Sequence, residues 1–350
     1  MENSTDKKHK RRPRYKGTHP KKFSTKYKEH NPEKYQETIQ KIIEKGNTPA
    51  GMHRSICVDE ILDFFNISPG QIGLDATLGY GGHTLEMLKK IAFKGHLYAL
   101  DRDPIELEKT KQRLTNLGYG SDVLTIQHLN FSDIDYLVLD TGLFDFVLAD
   151  LGLSSMQIDN PERGFTFKSD GPLDLRMDPL KGISAAERLR ELSKDEIEGM
   201  LIENADEPYA KEIANQIITS YSLGHMINTT KQFYEVIKNA LSFLPKDNRD
   251  MLIKKSAQRS FQALRIDVNH EFESLYAFLE KLPTVLKPGG KVAILSFHSG
   301  EDRLVKKSFK YFKNAGEYKE ISNGPIRPSM NEQISNSRSK SAKLRWAIKS

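Results

Sequence analysis

The fold of this chain is decided by residues 72–83, which read Ile72-Gly73-Leu74-Asp75-Ala76-Thr77-Leu78-Gly79-Tyr80-Gly81-Gly82-His83. The apolar start of this stretch predicts a buried strand, and glycines follow it in a short loop. Leu85, Leu88 and Ile91 then recur at helical spacing. The stretch therefore predicts a strand, a glycine loop and a helix in succession, which is the opening unit of a ligand-binding α/β sheet.

The same alternation continues along the chain. Buried strands are predicted at 96–101, 123–126 and 144–150, and the apolar residues between the first two of these have helical spacing. Strands that alternate with helices favour a mostly parallel sheet that is covered on both faces. We therefore predict an α/β fold of the Rossmann-like type.

The alternation stops near residue 156. Residues 156–262 are predicted to be helical, and the segments 184–187 and 193–196 both have capping-box form, with a serine followed three residues later by a glutamate. No strand is predicted in this stretch. It is therefore interpreted as a helical insertion into the sheet core.

The C-terminal part returns to the earlier pattern. A long helix is predicted at about 269–286, and Lys287-Pro288-Gly289-Gly290 predicts a turn. A buried strand follows at 291–297. Apolar and basic residues alternate over 343–349, which suits an edge strand with one wet face. We predict core segments at 49–155 and 263–350, with the helical insertion at 156–262 between them.

Residues 1–48 are predicted to form a flexible basic arm. The first 50 residues carry 14 Lys+Arg against 6 Asp+Glu, whereas the rest of the chain carries 39 against 41. Such an arm can neutralise nucleic-acid phosphates without reading sequence. Aromatic side chains that could stack on unpaired bases are Tyr15, Phe23, Tyr27 and Tyr35. The alternative is a solvated tail that only adds solubility.

The composition excludes several classes of protein. Cys57 is the single cysteine, so no internal disulfide can form. No run of 18 apolar residues is present, which argues against a membrane span, and the first residues lack the apolar region of a secretory signal. We therefore expect a cytoplasmic protein.

The glycine loop and an acid behind it predict a cofactor site. Asp101 ends the second predicted strand, 20 residues beyond Gly81, where such folds place the acid that holds a ribose. Asp75 precedes the loop and Asp150 ends a neighbouring strand. Two carboxylates disfavour the pyrophosphate of NAD but suit the cationic sulfonium and ammonium groups of S-adenosylmethionine. We favour S-adenosylmethionine, with NAD and a purely structural glycine turn as alternatives.

Further blocks occur in one order from about residue 51 to the end of the chain. They are His53 with Asp59-Glu60, Gly81-Gly82-His83, Asp101-Arg102-Asp103-Pro104, Asp150-Leu151-Gly152-Leu153-Ser154-Ser155 with Gln157, Glu162-Arg163-Gly164-Phe165-Thr166-Phe167, Asp170-Gly171-Pro172-Leu173-Asp174-Leu175-Arg176-Met177-Asp178, Phe261-Gln262-Ala263-Leu264-Arg265-Ile266 with Val268-Asn269, Ser296-Phe297-His298-Ser299-Gly300-Glu301-Asp302-Arg303 and Ser341-Ala342-Lys343-Leu344-Arg345. In these blocks the chain resembles the bacterial 16S rRNA cytosine-N4 methyltransferases, the MraW or RsmH family.

The resemblance implies a class I methyltransferase core interrupted by a helical domain. It implies S-adenosylmethionine as the cofactor, and small-subunit ribosomal RNA, within a ribosomal subunit, as the partner. By position it assigns the cofactor contacts, with Asp101 on the ribose and Phe131 beside the adenine. These residues are Gly81, Gly82, His83, Asp101, Phe131, Asp150 and Gln157.

Four departures from the family pattern concern the substrate side. Gly300 stands where the family usually has leucine, and Asn336-Ser337-Arg338 stands where it has Asn-Pro-Arg. The segment 54–58 is less apolar than in the family, and the basic arm is longer. These differences leave the cofactor assignment unchanged and bear on the RNA target.

A reaction hypothesis follows for the substrate side. Cytosine N4 is a weak nucleophile, so placing it in line with the methyl donor should dominate the rate. Asp150 is our candidate acceptor for the amine protons and therefore the catalytic residue. The flipped-out base would stack on Phe165, Phe167 or Phe297. Arg163 and His298 complete the predicted substrate contacts.

Each of these assignments has an alternative. Phe165 and Phe167 could be core residues, and Arg163 could pair with an acid inside the fold. His298 with Glu301 and Asp302 could hold a metal, although their spacing is irregular and we predict none. Alternative functions are methylation of a different RNA site or of a protein, and a non-catalytic ribosome-assembly factor.

Overall fold

The computed structural model describes residues 55–350. The predicted basic arm at 1–48 and His53 lie outside the described residues. Within this part, the strands are β1 (Ile72–Asp75), β2 (His96–Asp101), β3 (Leu124–His128), β4 (Phe144–Asp150), β5 (Leu286–Ser296), β6 (Tyr318–Ile321) and β7 (Lys343–Lys349).

These strands form one sheet in the order β3-β2-β1-β4-β5-β7-β6. The five strands from β3 to β5 are parallel to their neighbours, while β7 is antiparallel to both β5 and β6. The mostly parallel α/β fold is thus confirmed. The chain adds β2 and β3 on one side of β1, and β4 then pairs with the other side of β1. The strand order therefore reverses between β1 and β4. Open sheets of this kind bind ligands at that point.

Helices cover the sheet and form the region between β4 and β5. They are α1 (Val58–Phe65), α2 (Gly82–Ile91), α3 (Pro104–Asn116), α4 (Ile134–Thr141), α5 (Ser155–Asp159), α6 (Ala185–Glu191), α7 (Lys194–Ala205), α8 (Ala210–Ser222), α9 (Thr230–Ala240), α10 (Arg249–Asn269), α11 (Glu271–Val285), α12 (Ser299–Asn314) and α13 (Met330–Ser335).

Two apolar layers hold the sheet between its helices. Phe65 of α1 and Leu88 of α2 pack in one layer, where Phe65 lies 5.1 Å from the ring of Phe146 in β4. Phe278 of α11 and Phe309 of α12 pack in the other layer. Each of these four residues is at most 2% exposed. Burial of apolar surface on both faces stabilises the sheet and fixes where its strand ends lie.

The helical region has a core of its own. Helices α6 to α10 contribute buried residues to a separate apolar cluster that includes Ile213, Phe233 and Leu264. The predicted boundary at residue 262 falls inside α10, which runs without a break from Arg249 to Asn269. Ala263 and Leu264, just beyond that boundary, still pack in this cluster, and Pro172 and Thr229 form an isolated bridge inside the helical region.

Two predictions about the C-terminal strands were wrong. The segment Lys287-Pro288-Gly289-Gly290 is not a separate turn. It lies within β5 (Leu286–Ser296), where the pairing with β4 shifts register. The strand β7 is not an edge strand, because β6 pairs with its outer side. Its basic residues find partners there, as Lys349 does with Glu317. The strand β6 was missed because it has only four residues, half of them charged.

Candidate active site

A cavity of about 610 Å³ lies at the carboxyl ends of β1, β2 and β4. The sheet side of its wall comes from the glycine loop, the ends of β2 and β4, and the turn that holds Phe131. The opposite side comes from the helical region and from the segments after β5 and α13. The predicted site residues on this wall are Gly81, Gly82, His83, Asp101, Phe131, Asp150, Gln157, Phe165, Phe167, Phe297 and His298.

Hydrogen bonds and close neighbouring atoms fix the backbone of the glycine loop. Gly79 and Gly81 both have left-handed backbone, with φ of 49° and 73°. A Cβ on Gly81 would lie 2.9 Å from the Thr110 methyl group. Thr110 also donates to the Gly79 carbonyl at 2.7 Å. Glycine is therefore required at Gly81 on grounds of both conformation and space.

Asp101 supports this loop from below. Its carboxylate accepts from the Gly79 amide at 2.7 Å and from the Asp103 amide at 2.8 Å. Burial raises the pKa of Asp101 to about 6. Each carboxylate oxygen can accept a second bond, so Asp101 can hold the loop and still accept from a ligand hydroxyl in the cavity.

Asp150 lines the cavity, and one of its two carboxylate oxygens is unpaired. Its Oδ1 atom is buried and has no hydrogen-bond partner among residues 55–350. Its Oδ2 atom lies 3.5 Å from Nδ1 of His83. Burial raises the pKa of Asp150 to about 6. A buried acceptor without a donor is costly, so Asp150 is prepared to accept from a donor that enters the cavity.

Neighbouring groups orient Asp150 and His83. His83 Nε2 lies 2.9 Å from the Ile56 carbonyl, to which it can only donate, so Nδ1 is the atom that faces Asp150. The Asp150 amide donates to Thr77 Oγ1 at 2.6 Å. Asp75, whose pKa is raised by burial, accepts from Thr84 at 2.6 Å. The ends of β1 and β4 are thereby fixed to each other at the cavity floor.

The structure places Gln157 and Arg163 differently from the prediction. Gln157 lines the cavity, but its amide nitrogen donates to Asp103 at 2.7 Å and its oxygen accepts from the Ser154 amide at 2.9 Å. Arg163 does not line the cavity. It is buried and donates to Asp103 at 2.7 Å and to the carbonyls of Arg176 and Met177. A substrate contact by Arg163 therefore finds no support here, because its guanidinium is used inside the fold.

The aromatic candidates combine packing with cavity lining. Phe131 lies edge-on to Phe278, with ring centroids 5.0 Å apart. Phe167 stacks on Tyr234 at 5.1 Å and also contacts Phe261. Phe165 and Phe167 are only partly buried against the helical core. Phe165 and Phe167 thus pack against the helical core and also line the cavity, and base stacking on them stays a prediction.

His298 and Glu301 form a helix cap at the cavity edge. The His298 ring accepts from the Glu301 amide at 3.4 Å, and Nε2 lies 3.2 Å from the Glu301 carboxylate. Asp302 instead binds Arg345 at 2.6 Å. Within 55–350 these three residues do not converge on a common point for an ion, and the group that could do so is Cys57, Glu60 and Glu332, elsewhere in the fold.

Gly300 has a local explanation. A Cβ at this position would lie 2.6 Å from the ring of Phe272 and 3.2 Å from Nδ1 of His298. The Phe272 ring, 5.8 Å from the His298 ring, fills the space that a larger residue at position 300 would need. Gly300 and Phe272 are therefore complementary, and together they set the position of His298.

Several lining residues were missed by the sequence prediction. They are Gln258, Gln262, Arg265, Asn336 and Arg338. Arg265 and Asn336 occur in segments that carry the family resemblance or depart from it, and that was the available signal. Nothing in the sequence alone distinguishes Gln258 from any other glutamine on a helix.

Comparison with known proteins gives consistent matches. The family model described as the MraW methylase family matches residues 50–350. A protein of Lachnoclostridium phytofermentans named ribosomal RNA small subunit methyltransferase H 1 is 63% identical over 97% of this chain and 93% of its own length. One of Alkaliphilus metalliredigens named ribosomal RNA small subunit methyltransferase H 2 is also 63% identical, over 100% of both chains. In residues 55–350, no helix has the length and apolar character of a membrane span.

Proposed function

Since this chain belongs to the MraW methylase family and is an S-adenosylmethionine-dependent methyltransferase, we propose that it methylates N4 of a cytosine in small-subunit ribosomal RNA. The observation that carries the chemistry is the carboxylate of Asp150 on the wall of the cavity, with one oxygen unpaired within the described residues. An exocyclic amine is a donor that such an oxygen would accept from.

The cavity fits the cofactor. S-adenosylmethionine supplies an electrophilic methyl group on a sulfonium. The glycine loop leaves its backbone open at Gly81 and Gly82, Asp101 would bind the ribose, and Phe131 would contact the adenine. Asp150 and His83 would lie at the amino-acid end, where Asp75 and Asp150 favour a cation over a phosphate.

Asp150 would act on the target amine. When ionised, it accepts a hydrogen bond from N4 and so leaves more electron density on the nitrogen. His83 Nδ1, at 3.5 Å from Asp150, is placed to take the released proton onward. Phe165, Phe167 and Phe297 would hold the base, and His298 would contact it from the α12 cap. Positioning by these side chains is the main source of rate enhancement.

Arg163 and Gln157 would then act as positioning residues. Both donate to Asp103, whose amide binds Asp101. They connect the ribose acid to the loops of the helical region. The proposal includes a division of the chain into an arm at 1–48, a core at 49–155 and 263–350, and a helical domain at 156–262. The partner would be the assembled ribosomal subunit, and the location would be the cytoplasm.

The test is transfer of a labelled methyl group to small ribosomal subunits that lack the modification. Nucleosides are then separated and identified by mass spectrometry. We expect labelled N4-methylcytidine at one site. Label on another nucleoside, or on protein, would reassign the substrate. Tight cofactor binding without any transfer would favour an assembly factor instead.

The pH dependence of the reaction should report Asp150. Its pKa of about 6 lies above the ordinary 3.8, so the carboxylate needed for catalysis forms only as pH rises through about 6. The single-turnover rate should rise from about pH 5 and level off above about 7. Between the two pKa values the folded state binds more protons than the unfolded state. The unfolding free energy of the ligand-free protein should therefore fall as pH rises from 3.8 to about 6. A rate that is flat from pH 5 to 7 would contradict this assignment.

A further inference from the structure

One face of α10 leads from solvent into the cavity. The side chains of this face lie within about 100° around the helix axis, given 3.6 residues per turn. They are Lys254, Lys255, Gln258, Gln262 and Arg265. The first three are exposed, whereas Gln262 and Arg265 are partly buried. The last three line the cavity. We call this set the α10 row.

The side chain at the inner end of the α10 row is held by hydrogen bonds, whereas the two glutamine side chains in the middle have no hydrogen-bond partner within the described residues. Arg265 donates twice to Glu271, at 2.7 and 2.9 Å. By contrast, the side-chain amides of Gln258 and Gln262 make no hydrogen bond to any residue of 55–350. They are one helical turn apart, so both amides face the same space. Two uncommitted amides on a cavity wall are available to a ligand.

The surroundings of the row indicate which ligand this is. Phe165 and Phe167 line the same cavity. Lys254 and Lys255 lie at the outer end and form no ion pair within the described residues. Cations for phosphates, rings for stacking and amides for base edges are the combination that single-stranded RNA requires.

We propose that Gln258 and Gln262 bind the rRNA nucleotide next to the methylated cytosine and read its base edge. This inference rests on the proposed function. The target base itself must reach Asp150 at the end of β4, whereas the row becomes more exposed away from the cavity. An amide offers both a donor and an acceptor, so it can discriminate between bases. The lysines further out would contact the phosphates of the same strand.

The experiment compares Gln258→Leu, Gln262→Leu and the double variant with wild type. Gln216→Leu is the matched control, because Gln216 lies on α8 of the same region and does not line the cavity. Leucine has a similar helix propensity to glutamine but removes the amide. Each loss should raise KM for small subunits about tenfold, as expected for one hydrogen bond to RNA. The Kd for S-adenosylmethionine and the thermal midpoint should stay at wild-type values.

A second readout uses subunits with a substituted base beside the target. Wild type should discriminate against them and the double variant should not. The inference is overturned if KM in the double variant matches the Gln216→Leu control, or if the Kd for S-adenosylmethionine rises instead. If wild-type protein fails to methylate small subunits at all, the proposed function fails and this inference fails with it. The two kinds of failure are therefore distinct.

Discussion

Asp150→Asn is expected to lower the methyl-transfer rate by about 10²- to 10⁴-fold, the usual contribution of a positioned acid or base. Asparagine keeps the size of the side chain and one oxygen, but it cannot carry the negative charge that draws the amine proton. The measurement is the single-turnover rate on small subunits at saturating S-adenosylmethionine. The part of the rise in rate near pH 6 that belongs to Asp150 should disappear in the same variant, and a rise that remains would belong to Asp101, whose pKa is also about 6.

The control for this variant is Asp140→Asn, which changes an exposed carboxylate on α4. It should leave both rate and pH profile unchanged. Thermal unfolding and cofactor binding of Asp150→Asn show whether the cavity persists. A transfer rate within about threefold of wild type, with the cavity intact, would exclude Asp150 as the proton acceptor, since that is less than the smallest effect expected.

Arg163→Ala should cost about 3–5 kcal/mol of unfolding free energy, as removal of one partner from a buried ion pair does. The side chains of Arg163 and Asp103 are 8% and 0% exposed, with nitrogen and oxygen 2.7 Å apart. Alanine would leave Asp103 buried with less compensation and two carbonyls without their donor. The Kd for S-adenosylmethionine should rise as well, because Asp103 binds Asp101 through its amide. Denaturant unfolding and a binding titration measure the two effects.

Arg188→Ala provides the matched control for Arg163→Ala. Arg188 binds Asp267 at the same 2.7 Å, but the two side chains are 33% and 22% exposed. Water screens this pair, so its removal should cost no more than about 1 kcal/mol. Equal losses of unfolding free energy in the two variants would show that the Asp103 pair is no stronger than a surface pair. An unchanged Kd for S-adenosylmethionine in Arg163→Ala would show that cofactor binding does not depend on this pair.

The sequence brought the predicted cofactor residues to one cavity for a physical reason. A strand, a glycine loop and an acid at the next strand end are local features, and a parallel sheet brings strand ends to one edge. Gly81, Asp101 and Asp150 could therefore be placed together before any coordinates were known. The parallel order of the first five strands in the sheet follows from the same alternation.

The substrate half could not be predicted in this way. The sequence does not show whether an arginine such as Arg163 binds phosphate or pairs inside the fold. Only the contact with Asp103 separates the two roles for Arg163. Gln258 and Gln262 line the cavity because of the way α10 packs in the helical region, which the sequence pattern does not reveal. The short strand β6 likewise depends on pairing with β7 rather than on its own pattern.

The sheet order also constrains how the chain is synthesised. The edge of β4 pairs with β5, and 135 residues separate the end of one from the start of the other. At about 5–20 residues per second, translation needs about 7–27 s to produce that interval. During this time a nascent chain presents the open edge of β4, an apolar strand able to pair with other chains. The helical region, with its own core, emerges in the interval and can fold first. Cells that make many copies of this protein at once should therefore depend on chaperones that cover the open edge of β4 until β5 is synthesised.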